Sequence, residues 1–193
     1  MNKVLIGIIG VMVLLALYGI SMSNSFVRLD QNVEEKAANI KTALQRRYDL
    51  IPNLVAVVKG YAAHERGTFE AVTNARAKVG QFVVDEKLLS NPELFKKFQA
   101  AQGELSSALS RLMAVSERYP DLKADGRFAE LQAQLEGTEN RLKVERDNYN
   151  KAVRTFNEAI GQFPASMFAG GRIKKSYFDV STPDAEKAPE VKF

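Results

Sequence analysis

The chain has no cysteine, no tryptophan and only one histidine, His64, among its 193 residues. Without cysteine it has no disulfide, no thiol nucleophile and no thiolate metal site. That absence suits an oxidising compartment as well as a reducing one. A single histidine leaves little for metal binding or for acid–base chemistry near neutral pH. His64-Glu65 comes nearest to a metal motif, but position 68 is threonine, so HExxH fails. A strong charge of one sign is also missing. The 27 basic residues against 23 acidic ones give +4, spread too evenly for a nucleic-acid footprint. No Ser/His/Asp set, glycine-rich phosphate loop or paired-carboxylate cleft can be assembled from this inventory. The expectation is a protein without catalytic residues, metal or cofactor, and with no nucleic-acid partner.

What is present begins at the amino terminus. Val4 to Ile20 is uncharged, with Tyr18 its only polar side chain. This run sits at the short end of a membrane-spanning helix and also matches the apolar core of a signal peptide. Its exit decides between them. Ser21-Met22-Ser23 is only a tolerable small-x-small cleavage site, and the segment from Asn24 to Arg47 reads as a helix continuing straight on. An uncleaved single-pass anchor over residues 1–23 is therefore expected, with the lipid bilayer as partner. Lys3 on one side faces Arg28, Lys36 and Lys41 on the other, interleaved with acids, so charge asymmetry does not fix the orientation. The short basic terminus favours a carboxyl-terminal domain outside the cytoplasm.

The strongest periodicity lies at the other end. Phe128, Leu135, Leu142, Tyr149, Phe156 and Phe163 recur every seven residues, uninterrupted by proline until Pro164. A sustained heptad of this kind is a long helix with one buried stripe, roughly 50 Å in length. Its partners are visible upstream. Leu29, Val33, Ala37, Ile40, Leu44, Tyr48 and Ile51 form one stripe. Val55, Val58, Ala62, Phe69, Val72 and Val79 continue it, and Leu94, Phe98, Ala101, Leu105, Leu109, Leu112 and Tyr119 form another. Pro52 marks a kink or a restart, with Asp49 as its cap. Ser90-Asn91-Pro92-Glu93 is a helix start, and Pro120-Asp121 a stop. Short connections between long amphipathic helices give antiparallel neighbours. The expected fold is all-α: an antiparallel four-helix bundle over residues 24–180, preceded by a transmembrane helix. Its aromatic carboxyl-terminal stretch (Phe168, Tyr177, Phe178, with Arg172, Lys174 and Lys175) is read as an extended strap across the bundle. Residues 181–193 are expected to form a disordered tail.

Eight residues stand out as structural or interaction candidates: Asp49, Pro52, Asn53, Arg76, Glu145, Tyr149, Asn150 and Asn157. Asp49 and Asn53 read as cap and turn residues around Pro52. Glu145 occupies a stripe position, so its carboxylate needs a partner, and Arg46, Arg47 and Arg76 are the candidates on facing helices. Asn150 and Asn157 each follow a stripe aromatic and are placed to join helices or subunits.

Two blocks of sequence carry a family resemblance. One is Arg47-Tyr48-Asp49-Leu50-Ile51-Pro52-Asn53-Leu54-Val55, with Val58 to Ala62, His64-Glu65 and Ala75-Arg76. The other is Tyr119 to Ala124, Thr138 to Arg141, Arg146, Tyr149-Asn150, Phe156-Asn157 and Phe163-Pro164. Over about residues 24–180 these resemble the LemA family of bacterial membrane-anchored proteins. The resemblance implies an amino-terminal anchor in the bacterial inner membrane, an antiparallel helical bundle and no established enzymatic activity. The chain departs from the family near the membrane. Ser25-Phe26-Val27 stands where a Tyr-Asn pair is common, and Lys36 to Lys41 where a tryptophan followed by Ile-Asp is common.

The function expected from these readings is structural. A non-enzymatic single-pass membrane protein would self-associate as a homo-oligomer and scaffold or organise membrane components. The alternative is a binding module that delivers a partner to a membrane enzyme such as an envelope protease.

Overall fold

The computed structural model describes residues 3–178, and every regular element among them is helical. Helix α1 (Lys3–Tyr61) is a single helix of 59 residues, about 90 Å long. Its amino-terminal part contains the only described window long and apolar enough to cross a membrane, with mean hydropathy 2.6 and none of it buried. Beyond Ser21 the same helix becomes amphipathic. Phe26, Val33, Ile40, Arg47 and Leu54 are buried at seven-residue intervals. The buried member near the middle is thus Arg47, not its neighbour Tyr48.

Helix α2 (Arg66–Val79) turns back along the molecule, followed by short α3 (Glu86–Ser90) and long α4 (Pro92–Val115). Asp85 caps α3 by accepting from Leu88 N–H at 2.9 Å, and Asn91 caps α4 by accepting from Leu94 N–H at 3.0 Å. The chain then passes through a 3-10 turn (Ser116–Arg118) and α5 (Pro120–Lys123) into α6 (Gly126–Gly161). Asp125 caps α6, accepting from the N–H groups of Arg127 and Phe128 at 2.7 and 3.0 Å.

Two hydrophobic cores stack along the long axis. The proximal core, the one next to the apolar segment of α1, joins Phe26 to Ala43 of α1, Leu88 and Leu89 of α3, Phe95 and Phe98 of α4, Leu142 to Ile160 of α6, and Phe178. The distal core joins Ile51 to Val58 of α1 with Phe69 to Ala75 of α2, Leu105 to Val115 of α4, and Phe128 and Leu135 of α6. Four long helices share only the distal core, because α2 is too short to reach the proximal one. There α3 and the carboxyl-terminal strap take its place.

Several sequence expectations need correction. Pro52 does not restart a helix: α1 runs through it, and Asp49 is an exposed mid-helix residue that accepts from Gln45 at 2.8 Å instead of capping. The reversal comes later, at residues 62–65, where nothing in the apolar spacing marks it. The connection before α4 contains α3, and the α4 cap is Asn91, one residue past Ser90. Phe163 leaves the α6 stripe. The helix ends at Gly161 because the residue before Pro164 is pushed out of helical geometry, and Phe163 is 81% exposed. The expected tail, 181–193, lies outside the described residues, as does the end of the expected bundle at 179–180.

Candidate functional site

The two cores are separated by a polar layer centred on Arg47, which is 1% exposed. A helix stripe normally puts an aliphatic residue here, and a buried guanidinium persists only when its donors are answered. Arg47 Nε lies 2.7 Å from Glu139 Oε1 of α6, Nη2 donates to Ser106 Oγ of α4 at 2.7 Å, and Nη1 donates to Gln102 Oε1 at 3.3 Å. One side chain thereby ties α1 to both α4 and α6. Arg146 lies in the same layer. Burial pushes both guanidiniums below their ordinary pKa, and Glu139 opposes that shift in both.

The arginine at 76 solves a different problem. Proline has no N–H, so Pro52 leaves the carbonyl of Tyr48, four residues earlier, without its helical donor. Arg76 Nε of α2 donates to that carbonyl at 3.3 Å, and its guanidinium stacks 3.7 Å from the centre of the Tyr48 ring. Pro52 and Arg76 therefore belong to one device that docks α2 against α1. Asn53 is exposed and shares a shallow groove with Asp49, Gln45 and Arg46.

The third element is the strap. After a 3-10 turn (Ala165–Phe168), Gly170 and Gly171 adopt φ of 59° and 75°, a left-handed bend that favours glycine. The chain then returns along α6 in the opposite direction. Asn157 donates Nδ2 to Lys175 O and accepts from Lys175 N–H, both at 2.9 Å. Asn150 makes the same two bonds with Phe178, again at 2.9 Å. The seven-residue spacing makes this possible. Two turns of helix span about 10.5 Å, and three residues of extended chain span about 10 Å. Two asparagine amides thus act as the edge of a β-strand. Tyr149 O–H adds a bond to Ser176 O at 3.1 Å, and burial raises its pKa well above the ordinary value. The strap plugs the proximal core with Phe178, whose ring meets Phe95 and Tyr149 edge-on at 4.8 and 5.2 Å. Lys175, 5% exposed, pairs with Asp30 at 3.2 Å and Glu86 at 3.5 Å.

Tyr149, Asn150 and Asn157 are therefore brought together on one strap-binding face. Glu145 is buried as its stripe position requires, but its partner is Arg141, one turn away on the same helix at 3.7 Å. It meets none of Arg46, Arg47 and Arg76. The interhelical ion pair is Arg47–Glu139. Periodicity also passed over Gln102, Ser106, Glu139, Arg146 and Lys175. The available signal was Arg47 itself, a charge at a heptad position of α1. Among the described residues no group of three His, Asp or Glu side chains lies close enough to hold a metal, and His64 is exposed in the α1–α2 turn.

Together these features define a class: helical proteins carried on an amino-terminal apolar helix and fastened by buried polar clamps. Residues 36–193 match the LemA family, and the chain belongs to it. It is 28% identical over 162 residues to magnetosome protein MamQ 2 of Paramagnetospirillum magneticum, covering 76% of this chain and 60% of the relative. It is 27% identical to magnetosome protein MamQ of Magnetospirillum gryphiswaldense over the same shares. Protein LemA of Metamycoplasma hominis is 24% identical, over 75% of this chain and 62% of the relative. The chain thus spans about 60% of the length of the first of these relatives.

Proposed function

We propose that this is a single-pass membrane protein whose antiparallel four-helix bundle self-associates and scaffolds other membrane components, working by contact and not by catalysis. The observation that carries this reading is α1, one unbroken helix shared by the apolar segment and both cores. A bundle built on such a helix stands at a fixed attitude to the bilayer. Tethering then raises the effective concentration of identical bundles, so weak lateral contacts suffice for assembly. The membership in a family that includes proteins named LemA and MamQ supports membrane association.

The membrane-proximal end supports the same reading. The Phe168 ring packs edge-on against Tyr18 at 5.7 Å, and a Cβ at Gly19 would come within 2.8 Å of it. In the chain on either side of Phe168, Phe163, Met167 and Ile173 are exposed, and Arg172 and Lys174 flank Ile173. Apolar tips with basic neighbours at the end of an apolar helix suit a bilayer surface. The test is the mass of the full-length protein, gently extracted in detergent, by light scattering. A discrete oligomer is expected, and a clean monomer across the accessible concentration range would contradict self-association.

A further inference from the structure

The apolar run of α1 has a neighbour at its carboxyl-terminal end. The 3-10 turn that follows α6 reaches it there. The Phe168 ring meets Tyr18 edge-on at 5.7 Å and lies against Gly19, where a Cβ would come within 2.8 Å of it. Met167, one residue earlier, is apolar and yet 72% exposed. Arg172 sits at another level. Its guanidinium lies 5.4 Å from the centre of the Phe26 ring and donates to Ala169 O at 3.0 Å. Phe26 stands seven residues beyond Gly19 on the same helix, roughly 10 Å along its axis. The segment therefore climbs beside α1, with apolar side chains at the level of Gly19 and a basic one at the level of Phe26. From Gly161 to Phe178 the sequence holds Arg172, Lys174 and Lys175 and no acid. Lys175 is answered by Asp30 and Glu86, whereas among the described residues Arg172 and Lys174 form no ion pair. Arg28, the first charged residue of α1 past the apolar run, is exposed as well. Arg154 and Glu158, exposed near the end of α6, offset each other in charge.

We infer that residues 163–174 form a second membrane contact, separate from the anchor, whose partner is the surface of a bilayer containing acidic phospholipids. Met167 and Phe163 enter the edge of the hydrocarbon, and Arg172, Lys174 and Arg28 meet lipid phosphates. A single exposed methionine on a protein surface is ordinary. This one is joined to a ring that packs on the apolar helix itself, and that contact sets its depth. With the apolar run of α1 across the hydrocarbon, the reading on which this contact rests, Gly19 falls at the hydrocarbon edge. The headgroup layer beyond it is roughly 5–8 Å deep on each side, so Phe26 and the Arg172 guanidinium fall at its outer boundary. Apolar tips below and basic side chains above are the arrangement that binds an anionic interface. The consequence concerns the bundle's orientation. A lone spanning helix is free to turn about its own axis, whereas a contact to one side of it fixes which face of the bundle looks along the membrane.

The chain has no tryptophan, so one introduced indole reports its own depth. Met167→Trp and Ile173→Trp, both at exposed positions, probe the segment. Leu14→Trp probes the anchor, and Val144→Trp, roughly 25 Å along α6 from Gly161, probes the bundle. Each full-length variant is reconstituted into vesicles of phosphatidylcholine, alone or mixed equally with phosphatidylglycerol, and quenched by brominated lipid or by aqueous acrylamide. The expected result is quenching by brominated lipid at positions 14 and 167, blue-shifted emission at 173 and acrylamide quenching alone at 144. The lipid quenching at 167 should rise with phosphatidylglycerol, and Lys174→Glu in the Met167→Trp chain should remove that rise. Lipid quenching at 14 without any at 167 would overturn this contact and leave the anchor standing. No lipid quenching at 14 would overturn the anchor and the contact together. A position 167 shielded from acrylamide but untouched by brominated lipid would show the surface covered by a second copy, against the inference. Equal quenching at 167 on the two compositions would overturn the acidic lipid as partner.

Discussion

The distal and proximal halves of this molecule solve the same packing problem with different chemistry. The distal half is closed by helices on all sides, and its polar contacts sit on the rim. Tyr61 donates to Asp125 at 2.7 Å, Glu65 pairs with Arg118 at 3.0 Å, and Lys78 pairs with Glu104 at 2.6 Å. The proximal half lacks the fourth helix and is closed by an extended strap held by side-chain amides. Its polar contacts are inside: Lys175 is buried, and Asn157 pairs with its backbone. A helical closure can lose one rim ion pair at little cost, since exposed pairs contribute about 0–1 kcal/mol. A strap closure depends on a few buried bonds whose loss strands backbone groups. The half next to the apolar segment is therefore the half that can open locally.

The largest effect is expected at the boundary between them. Arg47→Ala removes the donor shared by Glu139, Gln102 and Ser106 and leaves a void in the layer. It should cost about 3–5 kcal/mol and uncouple the two halves, so that a single denaturation transition becomes two. Circular dichroism with denaturant would register this, and one transition with an unchanged midpoint would contradict it. Asn157→Ala comes next. It leaves the buried N–H and carbonyl of Lys175 unpaired and should cost about 1–3 kcal/mol, with limited proteolysis cutting first in the strap. The smallest effect belongs to the distal rim. Tyr61 and two backbone N–H groups hold the Asp125 carboxyl below its ordinary value of 3.8. A lowered folded pKa means that this contribution is present above pH 3.8 and lost as pH falls through the lower folded value. Tyr61→Phe should flatten that slope in acid unfolding without moving stability at neutral pH appreciably.

How much of this could be read from the chain follows the same division. Helix α6 was plain in the sequence because Phe128, Leu135, Leu142, Tyr149 and Phe156 keep one period and are all buried. The α1 stripe was legible but one residue out of phase in the middle, since Tyr48 is the apolar choice and Arg47 the buried one. Periodicity counts apolar residues and cannot see a charge whose partners lie 55 to 92 positions away. Pro52 misled for a similar reason. The proline rule is local, whereas the donor that rescues the Tyr48 carbonyl comes from Arg76 on another helix. The reversal after Tyr61 lies between Gly60 and Gly67, a weak local signal beside an unbroken apolar stripe, and tertiary contacts of Glu65 with Arg118 and Tyr119 hold it. The strap was anticipated from its aromatics, and Asn150 and Asn157 from their place beside the stripe. Their pairing with the backbone of residues 175 and 178 was not, because amide–backbone recognition leaves no composition signal.

The most direct test of the two-halves account is hydrogen exchange by mass spectrometry on the full-length protein in detergent, wild type beside Asn150→Ala/Asn157→Ala. The account predicts lost protection in the strap, in α3 and in the first turns of α4, with the amides of residues 54–58 and 105–112 unchanged. Protection lost equally in both halves, or in neither, would contradict it.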